Sequence, residues 1–250
     1  SRFPGKPMAP IHGMPMIGHC CCRVRLCDAL SDTYVATCDK EIFDYIESIG
    51  GKAVMTADTH ERASDRAAEA MVRIEEACGQ KTDILVMVQG DEPMMHPDMI
   101  TATVQPMLDD AEINGVVLSM PIMDEVQFND PNALKIIHNI KGDILYTSRA
   151  PIPYCKDWPL DIEAKRIFGI FGFRWDFLKK FTLIPESPLE LAESCDINRL
   201  FDNGLTKRVA LYPYVDSFSV DVLADAVKVE EYLENDPFWD TYKHYNGDIL

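Results

Sequence analysis

The 250 residues contain no apolar run near the roughly 18 to 20 needed to span a membrane. No signal-peptide pattern opens the chain either. The expectation is therefore a cytoplasmic protein with no membrane partner. Positive charge is scarce: 24 Lys and Arg face 41 Asp and Glu, for a net charge of −17. Phosphate-backbone binding needs a surplus of cations, so nucleic acid is not an expected partner. An anionic ligand requires basic residues focused in one cleft, helped by a metal ion. The 8 cysteines include no CxxC pair, and their spacing matches neither a zinc site nor a secreted disulfide framework. Cys20, Cys21 and Cys22 are consecutive. Neighbours on a helix point about 100° apart and cannot share one metal. The cysteines read as reduced thiols serving as small apolar side chains. Neither GxGxxG nor a Walker A spacing occurs, and no internal repeat is visible.

What is present is ordinary globular material, 47% hydrophobic and 26% charged, long enough to bury a sizeable core. Short apolar runs alternate with helical patterns, the signature of βαβ units and a mostly parallel central sheet. Strands are predicted over 33–37, 52–56, 83–88, 116–121, 134–138, 142–148, 167–173, 207–212 and 217–220. The 83–88 run (DILVMV) suits a central strand buried on both faces. Helices are predicted over 40–49, closed by Gly50-Gly51, and over 63–78, with Ala67, Ala70, Met71, Ile74, Ala77 and Cys78 on one face. A further helix is predicted over 97–108. Another opens at the Ser187-Pro188-Leu189-Glu190 capping box and runs to Asn203-Gly204. A last one follows Asp221. Residues 123–131 read as polar loop. The reading is one domain over 1–250, with about 123–166 protruding from it.

Four places suit chemistry. Arg2, Gly5 and Lys6 put two cations around a glycine, an arrangement able to hold a polyphosphate or to be a solvated basic loop. Gln89-Gly90-Asp91-Glu92-Pro93 follows the central strand, where ligands of open α/β sheets sit. Asp91 there suits a hard cation, or a turn. Asp221 reads as an N-cap unless the fold brings it beside Asp91. Arg66 lies at a strand-to-helix junction, His60 to Arg66, placed for a base or phosphate or for local ion pairs.

The order of SRFPGKP, a VAT-x-D strand end, HERASDR, VQGDEPM, NALKII, ILYTSRAPIPY, GIFGF, SPLE and a late VD resembles the 3-deoxy-manno-octulosonate (Kdo) cytidylyltransferases, from Ser1 to about Leu233. That family makes CMP-Kdo, the activated sugar acid for lipopolysaccharide and some capsules. The resemblance implies an α/β Rossmann-like nucleotidyltransferase fold, a mostly parallel sheet flanked by helices, with a protruding dimerisation segment. It also implies a homodimer, magnesium dependence, and CTP and an acidic sugar as partners. Carried over by position, Arg2, Gly5 and Lys6 form the triphosphate loop, with Lys6 among the catalytic groups. Arg66 lies near the cytosine, and Asp91 and Asp221 bind magnesium. Gln89 contacts substrate, while Lys135 and Arg149 line the substrate cleft.

The departures concern the sugar. Ile167 stands where the family has histidine and Phe171 where it has tyrosine, while Asp196-Ile197 replaces a Glu-Gln pair. Arg62-Ala63 replaces Ser-Gly. A strand and an IPAR-like turn precede the loop in the family, and the reading expects such a segment ahead of Ser1. With Leu189, Ala192, Asp196 and Leu200 on one helical stripe, Asp196 is expected to face the sugar pocket. The preferred acceptor is expected to be a relative of Kdo with fewer or masked polar groups. Two other readings stay open: a nucleotidylyltransferase for another base or sugar phosphate, and a nucleotide-binding homologue without turnover.

Overall fold

The computed structural model describes residues 3–159 and 163–244. From the N-terminus the elements are β1 (Pro10–Ile11), β2 (Met14–Pro15), α1 (Met16–Arg25), β3 (Val35–Thr37), α2 (Lys40–Ser48), β4 (Ala53–Met55) and α3 (Ala63–Cys78). The middle carries β5 (Ile84–Val88), α4 (Pro97–Asp109), β6 (Gly115–Pro121), α5 (Glu125–Asn129), β7 (Lys135–His138) and β8 (Ile144–Ser148). Then come β9 (Lys165–Arg174), α6 (Trp175–Phe181), α7 (Pro188–Glu193), α8 (Asn198–Asp202), β10 (Arg208–Leu211), α9 (Leu223–Leu233) and α10 (Trp239–Tyr242). Where the sequence suggests one domain, the contacts group the chain into two compact units. One comprises residues 1–81, 88–101 and 216–250; the other comprises 82–87 and 102–215.

The first unit packs α1 between two apolar clusters. On one side Ile11, Met16, Met94, Val220, Ala226, Val229 and Leu233 join α1 to α9. On the other, Ile17, Cys20 and Cys21 meet Ile42 and Ile46 of α2. The sequence reading places no helix over 16–25, because a helix buried nearly all round shows no amphipathic period. Burial raises the Cys20, Cys21 and Cys22 thiols, so they pack as apolar groups. All eight cysteines are free. β3 and β4 pair in parallel, and Asp39 caps α2 by accepting from the Glu41 N–H. On α3 the buried residues are Ser64, Ala68, Ala70 and Met71, so Ala70 and Met71 of the predicted face are buried, while Ala77 and Cys78 are exposed. Small side chains at the N-terminal half bring that half into the unit and leave the last turn outside.

The second unit is built on a sheet ordered β10-β6-β9-β7-β8, with β5 also paired to β9. β10 and β6 are parallel, whereas β6, β7 and β8 meet their neighbours antiparallel. The sheet is thus mixed. β7 and β8 form a hairpin through the 139–142 turn, and direct returns of this kind run antiparallel without a crossover helix. The predicted excursion over 123–166 therefore adds strands to the sheet itself. Its polar start is not all loop: Asp124 caps α5 through the Gln127 N–H, and Phe128 is buried with Ile122 and Ala164. β5 is half-buried along its whole length rather than fully buried. The predicted long helix after Ser187 breaks at Ser194, which adopts the left-handed conformation (φ 49°) and ends α7. The capping box is present as read.

Candidate active site

In the first unit, Gly5 takes a left-handed turn (φ 69°) with open space where a Cβ would lie, and Lys6 follows it in a single 3₁₀ turn, Lys6–Met8. The Lys6 ammonium donates to Asp91 Oδ2 at 2.7 Å and to the Val220 carbonyl at 2.9 Å. It lies 3.7 Å from Asp221 Oδ1. Residues 85 and 215 positions apart from Lys6 thus converge on one cation. Backbone pairing sets this up: the Val220 N–H donates to the Asp91 carbonyl at 2.9 Å. The Ser219 hydroxyl also bonds Glu92 Oε1 at 2.7 Å, so the 217–220 segment is tied to the 89–93 turn without forming the predicted strand. Asp221 is not the N-cap. Asp225 Oδ2 accepts from the Asp221 and Val222 N–H groups at 2.8 and 2.9 Å, which leaves the Asp221 carboxylate for Lys6.

The two carboxylates suit an oxygen-ligated cation. Asp91 Oδ1 is buried and has no hydrogen-bond partner, so one hard oxygen is desolvated and unused beside a second carboxylate. Gln89 is half-buried on the same turn, which its carbonyl helps close by accepting from the Glu92 N–H at 3.3 Å. Arg66, in the first turn of α3, donates from Nη1 to Thr56 Oγ1 at 2.5 Å and to the Ala57 carbonyl at 3.1 Å. Glu69 supports that junction from His60, the Ala57 N–H and Arg73, which hold its carboxyl down at about 2. Arg2 lies outside the described residues.

The second unit holds the remaining predicted residues. Lys135 is fully buried, and its ammonium donates to the Asp130 and Arg149 carbonyls, each at 2.7 Å. Burial lowers its pKa. Those bonds make Lys135 a pin for two loops. Arg149 donates from Nε to the Glu193 carbonyl at 2.8 Å and from Nη1 to the Pro131 carbonyl at 2.9 Å. Glu193 is the centre that sequence reasoning missed. Its carboxylate accepts from Tyr146, Ser148 and the Arg149 N–H at 2.6 to 2.9 Å. Burial pushes its pKa up, but those bonds outweigh it and hold the carboxyl below the usual range. An acid on a short polar helix gives no sequence signal of such convergence.

At the predicted sugar-reading positions, Ile197 is 2% and Phe171 7% exposed, and Ile167 is half-buried. Asp196 is also half-buried, but not through the predicted stripe. It lies between α7 and α8, and Ala192 is exposed. Asp196 influences Lys207, whose ammonium rests 3.5 Å from the Phe173 ring centroid and 5.7 Å from that of Phe171. Burial lowers Lys207 to about 7, with Asp196 opposing the shift.

A mixed α/β fold in which a lysine and two aspartates from distant segments converge is that of a nucleotidyltransferase, a class of enzyme whose chemistry rests on neutralising phosphate charge. A cytidylyltransferase family model matches residues 1–209. A 3-deoxy-manno-octulosonate cytidylyltransferase of Syntrophotalea carbinolica is 38% identical over 241 residues, covering 93% of this chain and 94% of its own. One from Geobacter metallireducens is 36% identical over 243 residues, covering 93% of each. A solved structure of CMP:2-keto-3-deoxy-manno-octonic acid synthetase complexed with CTP superposes with a TM-score of 0.84 at 33% identity, over 94% of both chains. The chain belongs to the 3-deoxy-manno-octulosonate cytidylyltransferase family. Among the described residues no helix is long and apolar enough to cross a membrane.

Proposed function

We propose that this enzyme transfers CMP from CTP to the anomeric hydroxyl of a 2-keto-3-deoxy sugar acid, Kdo or a relative, releasing pyrophosphate with the help of magnesium. The observation that carries the reading is the convergence of Asp91 and Asp221 on Lys6. Asp91 and Asp221 would hold magnesium, which would supply neutralisation of the phosphate charge. Lys6 offers its ammonium to the same phosphates, and the Gly5 turn lets backbone approach them closely. Arg2 joins that loop by resemblance, and Arg66 stands at the start of α3 for the base. The substrate names of the relatives support the choice of CTP and Kdo. We also propose a homodimer through the 123–166 segment; Val126, Ile140, Leu145 and Tyr154 there expose apolar side chains.

Pyrophosphate release, with nucleotides crossed against acidic sugars, is expected only with CTP and a 2-keto sugar acid, and to require magnesium. Asp91→Asn keeps the fold and loses at least about a hundredfold in kcat, because one charged metal ligand is gone. Release with another base, no release with any pair, or an Asp91→Asn enzyme as fast as wild type contradicts the reading.

A further inference from the structure

Lys6 is more than a phosphate-binding group waiting for its ligand. Its ammonium has three donors. Two are spent at short range on Asp91 Oδ2 and the Val220 carbonyl, and the side turned to Asp221 lies 3.7 Å from Oδ1. The cation thus holds an oxygen of one carboxylate and lies close to the other, so it takes up space that a divalent ion must share. Two carboxylates and one ammonium leave a net charge of −1, which still attracts a cation. A divalent ion entering at the same oxygens would nevertheless meet a like charge beside it. The lysine can leave. Lys6 follows a left-handed glycine, belongs to a single 3₁₀ turn with no buried residue, and its side chain is 22% exposed. A triphosphate gives it charge-assisted acceptors in place of the two it gives up.

We propose that Lys6 is a tethered counter-ion of the two-aspartate site: without nucleotide it holds Asp91 and Asp221 and disfavours a free divalent cation, and triphosphate draws it off so that cation and nucleotide enter together. A metal–nucleotide complex exchanges partners in one event, metal to the carboxylates and phosphate to the ammonium. Free metal displaces the ammonium from the carboxylates and offers it no anionic acceptor in exchange. The coupling is reciprocal, so nucleotide and cation each raise the other's affinity. This inference rests on the reading of Asp91 and Asp221 as the metal site.

The experiment is titration of the full chain with Mn2+ in the absence of nucleotide, following free Mn2+ by electron paramagnetic resonance. Wild type is compared with Lys6→Met, Lys6→Gln and the Lys6→Met/Asp91→Asn double variant, and circular dichroism establishes that each is folded. Lys6→Met is expected to bind Mn2+ about tenfold more tightly than wild type. Lys6→Gln, which keeps a donor but no charge, is expected to move the same way. Both are expected to bind CTP more weakly by calorimetry. Equal or weaker Mn2+ binding in folded Lys6→Met and Lys6→Gln overturns the counter-ion role. Tightening that survives in the double variant overturns it too, because the metal site then lies elsewhere and the reading of Asp91 itself fails.

Discussion

His19 shows how completely one residue's chemistry is set by its neighbours. It is fully buried in α1, stacked 5.3 Å from Trp239. Arg23 Nε donates to the Tyr242 hydroxyl at 2.9 Å. That hydroxyl lies 3.0 Å from His19 Nδ1, and His19 Nε2 lies 2.9 Å from the Ile11 carbonyl. A neutral imidazole fits, with Nδ1 accepting from tyrosine and Nε2–H donating to the carbonyl. Burial lowers the His19 pKa from 6.5 to about 4, helped by the Arg23 charge. The unfolded chain therefore binds the proton more readily. Stability from this site is present above pH 6.5 and falls as pH drops towards 4, by about 3 kcal/mol in all. Urea unfolding across that window is expected to lose this slope in His19→Gln. An unchanged slope shows that His19 is not the group responsible.

At the scale of elements, α7 and α8 hold together across the break at Ser194 by one buried ion pair. Arg199 binds Glu190 through Nε and Nη2 at 2.7 and 2.6 Å, and both side chains are almost fully buried. A third nitrogen donates to the Ile184 carbonyl at 3.1 Å. A single continuous helix needs no such fastening. Two short ones, neither stable alone, do. Arg199→Met strands the Glu190 charge and is expected to cost about 3 to 5 kcal/mol in urea unfolding. Replacing Glu190 with Gln in the same chain removes the charge, keeps an acceptor for the Ser187 N–H, and is expected to recover most of the loss. If the double variant is no more stable than the single, the cost lies in packing against Phe181 rather than in the orphaned carboxylate.

For the molecule as a whole, the surplus of acid shapes how its cations are used. Lys6, Arg23, Arg149 and Arg199 are all engaged with carboxylates or carbonyls within the fold. Lys207 differs from these: it rests on aromatic faces near Asp196, beside positions proposed to read the sugar, and Lys228 rests likewise on Phe218. Ile197 and Phe171 are buried there and offer no polar group, and we propose that the acceptor site they border favours an acceptor with fewer or masked hydroxyls. With CTP saturating, kcat/KM for Kdo is expected to fall below that of the best deoxy, amino or acylated 2-keto sugar acid. Kdo turned over as well as the best of that panel makes these substitutions neutral repacking.

Local patterns carried a good part of this. The capping box at Ser187, the helices at 40–48 and 63–78 and the turns at Gly5 and over 89–93 are short-range features, and each was legible from spacing and residue type. Five things were not. Helix α1 was hidden because burial on all sides erases its period, and the break at Ser194 because nothing in its composition forbids a helix. Glu193 gave no local sign of the donors that converge on it, and Lys135, read by resemblance as lining the substrate cleft, is enclosed by two backbone carbonyls. Asp221 looked like a cap until Asp225 was seen to carry that role. The sequence alone determined which residues could bind phosphate and metal, because that depends on their chemistry. Only the tertiary structure decided which of them meet, because Lys6, Asp91 and Asp221 are brought together by backbone pairing between segments far apart in the chain.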